Sequence, residues 1–366
     1  MKPIHYGALL LLGAVWGASF LFIGIAVPEF GPLPMMLARV LIAGLLLLAF
    51  AYFTQRGGGL RATLRLREKW RTYLVVGLLN SALPFTLIAF SELRLTASLA
   101  AILNSTTPLF TALVAAAWGS ERLTGRKMWG VLLGVVGVAV LVGGAPLDVN
   151  RAIVVAVLAS LLAALCYGLG TVYAARHITG LPGSYASTVQ LLGAAVVLAG
   201  PGLITWPAAP PSPAAIGALA ALILVSTTFA YLLYFFLLRN VGPTRTASVT
   251  LLVPVFGTLW SILFLREPFN AGMLLGMAII LTSVSLVTAR RPEPDGPPAA
   301  HLPDIPQPGA SPLHPYAYAQ DARRRGRDRW CAGAPVAGSA VSAVGRAARC
   351  ARALGRNRQR PLPAGG

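Results

Sequence analysis

The sequence predicts an all-α polytopic membrane protein: ten transmembrane helices arranged as two inverted five-helix repeats, with a disordered C-terminal tail. Three observations predict this. The chain is 56% hydrophobic and only 11% charged, against about 25% charged residues in an average soluble domain. Its apolar residues fall into ten runs. One pattern of Pro, Phe, Leu, Glu and Gly is written twice, so that Pro108, Phe110, Leu113, Glu121 and Gly130 match Pro254, Phe256, Leu259, Glu267 and Gly276.

The runs come first. A bilayer-crossing helix needs about 20 mostly apolar residues. Runs of that kind fall at 6–27, 34–53, 72–90, 97–118, 128–144, 152–175, 184–203, 214–238, 247–265 and 271–289. Lys2 followed by an apolar stretch resembles a secretory leader. The run is too long and too bulky for one, and nine more spans follow. Lys and Arg stay on the cytoplasmic side of short loops. With the N-terminus inside, the inner segments hold Lys2, a cluster from Arg56 to Arg71, Arg122, Arg126, Lys127, Arg176, Arg239 and Arg245; the outer segments hold Arg94, Arg151 and Arg266. The bias places both termini in the cytoplasm of an inner-membrane protein.

The duplication sets the architecture. From the third to the fifth span the copies align with Phe90 on Phe236. In the first two spans the offset changes slightly: Trp16-Gly17 meets Tyr167-Gly168, and Arg39 meets Gln190. The repeats are therefore 6–144 and 152–289. Five passes per copy is an odd number, so the second copy lies upside down relative to the first. Inverted repeats are an architecture of secondary transporters, with the substrate site between the halves.

The same residues carry a resemblance. "GAVWGASF", "LARVLIAG", "SLAAILNSTTPLFTAL", "SERL" and "GVLLGVVGVAVLV" in the first copy, with "TASVTLLVPVFGTLWSILFLREPF" and "GMLLGMAIILTSVSLV" in the second, resemble the drug/metabolite transporter superfamily. The nearest form within it is the ten-helix permease with two EamA-type repeats. The resemblance covers residues 6–288. It implies a helical bundle around a central cavity, working by alternating access. Its one departure is the proline after the glutamate in "REPF", at a helix end.

Candidate functional residues follow from what is costly inside a membrane. Pro108 cannot donate to the carbonyl of Asn104, nor Pro254 to that of Thr250. An unpaired carbonyl must face protein or a watery cavity. Both prolines are therefore expected in the interior, as gating kinks or as static ones. Arg39 is an intramembrane charge. It contacts a carboxylate-bearing substrate, or it snorkels outward along its stem. Trp16, Asn80, Asn104, Tyr167, Gln190, Thr228, Tyr231 and Ser248 are the other polar or amphipathic residues within spans. They line a small-molecule site or join helices. Glu121 and Glu267 end the fourth and ninth spans. Their expected role is structural: pairing with Arg122 or Arg266, or favouring the N-terminus of the next helix. Glu92, after Phe90, is placed in an outer loop with Asp148, and Glu29 lies nearby. This reading leaves no buried carboxylate, and so no support for proton coupling. The GxxxG pairs Gly130/Gly134 and Gly272/Gly276 let helices approach closely, within the chain or in a homodimer.

The remaining classes are constrained by absences. Cys166, Cys331 and Cys350 have no metal or disulfide spacing. No cofactor or metal site is implied, and no catalytic residue is assigned. A net charge of +19 invites nucleic acid. Through residue 289, however, the charges sit between apolar runs, so no nucleic-acid partner is expected. Residues 290–366 are rich in Arg and Pro and contain no Lys. Such a segment stays disordered in the cytoplasm, or it is the out-of-frame reading of a GC-rich gene. The leading expectation is a permease moving a small metabolite or drug, an amino acid or related compound among them, outward. A membrane-embedded enzyme lacks HExxH, GxSxG, P-loop or paired-acid motifs. A receptor or scaffold has no need of two inverted halves.

Overall fold

The computed structural model describes residues 2–54, 66–121, 123–146, 150–178 and 181–288. The tail, Arg122 and Asp148 lie outside the described residues. Ten helices are long and apolar enough to cross a membrane: α1 Pro3–Phe30, α2 Pro32–Thr54, α3 Leu66–Glu92, α4 Ala97–Ala117, α5 Gly125–Gly144, α6 Arg151–His177, α7 Gly183–Ile204, α8 Pro213–Gly242, α9 Arg245–Leu265 and α10 Ala271–Thr288. They match the ten apolar runs of the sequence, and several extend further into the polar flanks. Helix starts are fixed by side-chain caps, which satisfy donors that an α-helix leaves open. Thr96 accepts from Leu99 N–H, Thr124 from Lys127, Asn150 from Ala152 and Ile153, and Ser212 from Ala215.

The helix pairing maps onto itself when the halves are exchanged. α2 packs on α7, α5 on α10 and α4 on α9, each pair its own counterpart. α1 packs on α9 as α6 packs on α4; α1 packs on α8 as α6 packs on α3. This is the contact scheme of two inverted repeats. Large apolar side chains such as Leu45, Phe53, Val135, Leu158, Val196 and Leu275 face outward, as a lipid-facing surface requires. Trp70, Trp118, Trp129 and Trp206 are exposed near helix ends, where indole rings meet headgroups.

The glycine pairs are used within the chain. A Cβ on Gly130 would lie 2.6 Å from Val287, and one on Gly134 2.3 Å from Leu109 and 2.8 Å from the Ser283 hydroxyl. A Cβ on Gly276 would lie 2.6 Å from the backbone of Leu141, and one on Gly272 2.7 Å from that of Gly144. Ser283 donates to the Gly130 carbonyl at 2.5 Å. These four glycines therefore close the α5–α10 seam.

The two prolines behave differently. α4 is interrupted at Ser105 and Thr106, and helix resumes at Thr107 with Pro108 in its first turn, where no N–H is needed. The Thr107 hydroxyl donates to the Asn104 carbonyl at 2.7 Å, the group that the proline leaves open. α9 instead runs helical through Pro254 and has its turn at Ser248, six residues earlier. The matched prolines thus do not make matched breaks. A different pair of irregularities does match. π-turns occupy Leu78–Ala82 of α3 and Leu224–Phe229 of α8, at the repeat offset. Such turns frequently mark functional sites.

Candidate functional site

Each π-turn contributes to the wall of a central cavity of about 470 Å³, through Asn80 and Ser226. Its wall contains Trp16, Arg39, Asn80, Asn104, Pro108, Tyr167, Gln190 and Tyr231. Seven of the nine residues offered by the sequence as substrate contacts are therefore brought together. Ser248 is not among them: it is exposed and donates to the Arg245 carbonyl at 2.7 Å. Thr228 likewise bonds inside its own helix, to Ile223 at 2.9 Å. Pro108 lines the cavity; Pro254 is buried elsewhere on α9.

Arg39 does not snorkel. It is 6% exposed. Its Nε donates to Thr227 Oγ1 at 3.0 Å, and its guanidinium lies 4.0 Å over the ring of Phe85. Among the described residues it makes no ion pair. The other half repeats this arrangement with neutral groups. Gln190, the counterpart of Arg39, donates through Nε2 to Ser81 Oγ at 3.0 Å and to the Tyr231 hydroxyl at 3.2 Å. Ser81 and Tyr231 are the repeat counterparts of Thr227 and Phe85. The i-to-i−5 geometry of the π-turn is visible at Thr227, whose hydroxyl donates to Leu222 at 2.7 Å. A straight α-helix would carry these hydroxyls round to another face. Sequence reading missed Ser81, Thr227 and Phe85; the signal was available in the repeat, because each holds the offset of its partner.

Unsatisfied groups complete the lining. Asn80 Oδ1 and Asn104 Oδ1 are buried and accept no hydrogen bond among the described residues. Both residues lie on the cavity wall. A buried acceptor without a donor is costly; Asn80 Oδ1 lies against Gly170. The site thus offers one fixed cation, two free amide oxygens, several hydroxyls and aromatic walls. That set suits a small molecule with an anionic group and hydrogen-bond donors.

The start of α4 and the end of α9 are held together. Glu267, just after α9, reaches the start of α4: Oε1 accepts from Ala97 N–H at 2.8 Å and Oε2 from Ser98 N–H at 3.0 Å, with the Ser98 hydroxyl also donating. A carboxylate there meets open backbone donors and the positive end of the helix dipole. Glu267 therefore caps the start of the fourth helix rather than the next one, and Arg266 is not its partner. Its counterpart Glu121 is exposed and pairs with Lys127 in the first turn of α5. The end of α4 is drawn toward α6 instead: Arg176 donates to the Trp118 carbonyl and the Ser120 hydroxyl, each at 2.6 Å. At this other end the cavity lining extends to Thr171, Ser187, Ala247 and Val249.

One carboxylate was misplaced by the sequence reading. Glu92 is not in a loop: it is the last residue of α3 and only 8% exposed.

Ten membrane-crossing helices, pseudo-symmetric in two inverted halves and enclosing a polar central cavity, define a multi-pass membrane permease. The family model for the EamA-like transporter family matches residues 4–143 and 154–289, and the chain belongs to that family. It is 31% identical over 289 residues to the uncharacterized inner membrane transporter YedA of Escherichia coli K12, covering 77% of this chain and 90% of that one. It is 30% identical over 295 residues to the uncharacterized transporter YvbV of Bacillus subtilis 168, covering 77% and 92%. A solved crystal structure of a protein with 19% identity shares the fold at a TM-score of 0.54, over 77% of this chain and 96% of that one. The protein is a multi-pass membrane transporter of the inner membrane, with a small-molecule substrate.

Proposed function

We propose that this transporter moves a small carboxylate-bearing metabolite, an amino acid or a related compound, outward by alternating access, with both termini in the cytoplasm. The observation that carries the reading is the mismatch between two equivalent glutamates. Glu267 is docked on the start of α4, while Glu121 stands exposed beside Lys127. In two inverted copies the same carboxylate serves opposite faces. One docked and one released describes a carrier closed on one side and open on the other. In the opposite state Glu121 docks on the start of α9. There the chain leaves helical geometry at Gly242, with φ 80° and ψ 169°, and Thr244 stands in sequence where Ser98 stands in the first copy. The charge bias of the loops makes the open side the cytoplasmic one.

The substrate class follows from the wall. Arg39 holds a carboxylate, and the free oxygens of Asn80 and Asn104 receive ammonium or other N–H donors. Gln190 is the neutral half of the cradle, so the substrate binds in one orientation. The test is counterflow of radiolabelled amino acids in liposomes containing the purified protein. Arg39→Ala is expected to abolish uptake while the protein remains folded in the membrane. Uptake at the normal rate by that variant removes Arg39 from the substrate site.

A further inference from the structure

Glu92 is a buried carboxyl that the transport reading does not use. Neither of its oxygens has a hydrogen-bond partner among the described residues. It sits where four helices meet. A Cβ built on Gly24 of α1 would lie 3.5 Å from Glu92 Oε2, 3.6 Å from Leu265 Cδ1 at the end of α9, and 3.8 Å from Ala97 Cβ at the start of α4. Ala97 is the residue whose N–H goes to Glu267. The undocked carboxyl of Glu92 is thus packed against the closed latch. The charged groups whose fields reach it are Glu267 from α9 and Arg39 from α2. Arg39 is engaged by Thr227 and Phe85. From α1 and α4 the neighbours at this point are Gly24 and Ala97, which carry no charge. Glu267 is held by two backbone donors and a hydroxyl. An ionised Glu92 would be a second negative charge in the same dry pocket, with no donor of its own.

We propose that Glu92 is a proton-binding site that couples the outer gate to a proton. The proposal rests on the alternating-access reading and adds its coupling ion. While Glu267 is docked, Glu92 is the neutral acid. When Glu267 leaves the start of α4 and water enters, the O–H bond of Glu92 breaks. The proton passes to water on the outer side, and the carboxylate stays hydrated. Closing requires the reverse step, in which Glu92 takes a proton from outside water before α4 and α9 meet. Gly24 makes room for this carboxyl against α1. Ile88, one turn earlier on α3, lines the cavity, so the proton site lies just beyond the substrate site.

Two measurements on the full chain in lipid nanodiscs, without substrate, test this. Infrared difference spectroscopy at neutral pH is expected to show the carbonyl stretch of a protonated carboxylic acid, and Glu92→Gln is expected to lose it. Hydrogen exchange, corrected for its intrinsic pH dependence, reads the Ala97 and Ser98 amides held by Glu267. Their protection is expected to fall as pH rises in the native chain and to persist at alkaline pH in Glu92→Gln. If Glu92→Gln does not fold, Glu92→Asp is read instead: its acid band is expected to be displaced from the native one, and its Ala97 and Ser98 amides are expected to lose protection at a different pH from those of the native chain. An acid band that survives Glu92→Gln, a band unmoved in Glu92→Asp, or protection that titrates alike in native and Glu92→Gln protein overturns the proposal. Neither readout involves transport. A chain that moves no substrate but titrates in this way refutes the transport reading and leaves the proton site standing.

Discussion

Arg39 and Gln190 occupy equivalent places in the two halves, and the difference between them is one charge. A hydrogen bond to a charged group is worth about 1.5–3 kcal/mol and a neutral one about 0.5–1.5 kcal/mol. Substrate affinity in liposome binding assays is therefore expected to fall about 10- to 100-fold in Arg39→Gln and only a few-fold in Gln190→Ala. Arg39→Lys keeps the charge but loses the planar contact with Phe85 and the directed bond to Thr227, so it is expected to rescue only in part. Equal losses at the two positions would show that the site does not use the charge. Arg39 was legible in the sequence because a charge inside an apolar run stands out. Its partner Thr227 was not: the two are 188 residues apart, and a threonine in an apolar run usually bonds its own helix, as Thr228 does. Glu92 was misread because the third span was ended at its last bulky apolar residue, Phe90. The helix continues, and its final turn is covered by α1 and by the start of α4.

At the scale of elements, caps and close approaches decide the behaviour. Glu267→Ala removes the acceptor for two helix-end donors. A lost cap costs about 1 kcal/mol. That is expected to raise the rate at which thiol reagents reach a cysteine placed at Ser98 about five-fold. Glu121→Ala loses in this state only an exposed ion pair, worth about 0–1 kcal/mol, and removes the dock of the opposite state, so it is expected to lower that rate rather than raise it. The α5–α10 seam has no room for side chains. Gly134→Leu and Gly276→Leu are expected to lower the thermal stability of the detergent-solubilised protein by an overpacking cost of about 1–3 kcal/mol or more each, whereas Gly143→Leu, with open space around it, should not. Unchanged thermal midpoints in both seam variants would contradict the packing described. The GxxxG spacing was plain in the sequence. Whether it served this chain or a second copy was not, because spacing shows a smooth face and not what covers it. The prolines misled in a similar way. Pro108 and Pro254 share an offset, but the helix yields at Ser105–Thr106 in one copy and at Ser248 in the other. The π-turns, which do match, leave no residue type that a single sequence betrays.

For the whole molecule, the odd number of passes per repeat carries the most weight. Ten apolar runs and a doubled motif made the fold legible, because hydropathy and chain length leave few ways to cross a bilayer. The inverted halves explain why one pattern ends in a docked glutamate and again in a released one. They also fix a geometric consequence: the end of α4 and the end of α9 lie on opposite sides of the membrane. The most direct measurement places single cysteines at Leu123, after α4, and at Pro268, after α9, in a chain whose Cys166, Cys331 and Cys350 are replaced by serine. Intact cells are then treated with a thiol reagent that does not cross the inner membrane. Labelling is expected at position 268 in intact cells, and at position 123 only after the cells are opened. Labelling of both positions from the same side would contradict the inverted pair, and with it the account of gating built on Glu121 and Glu267.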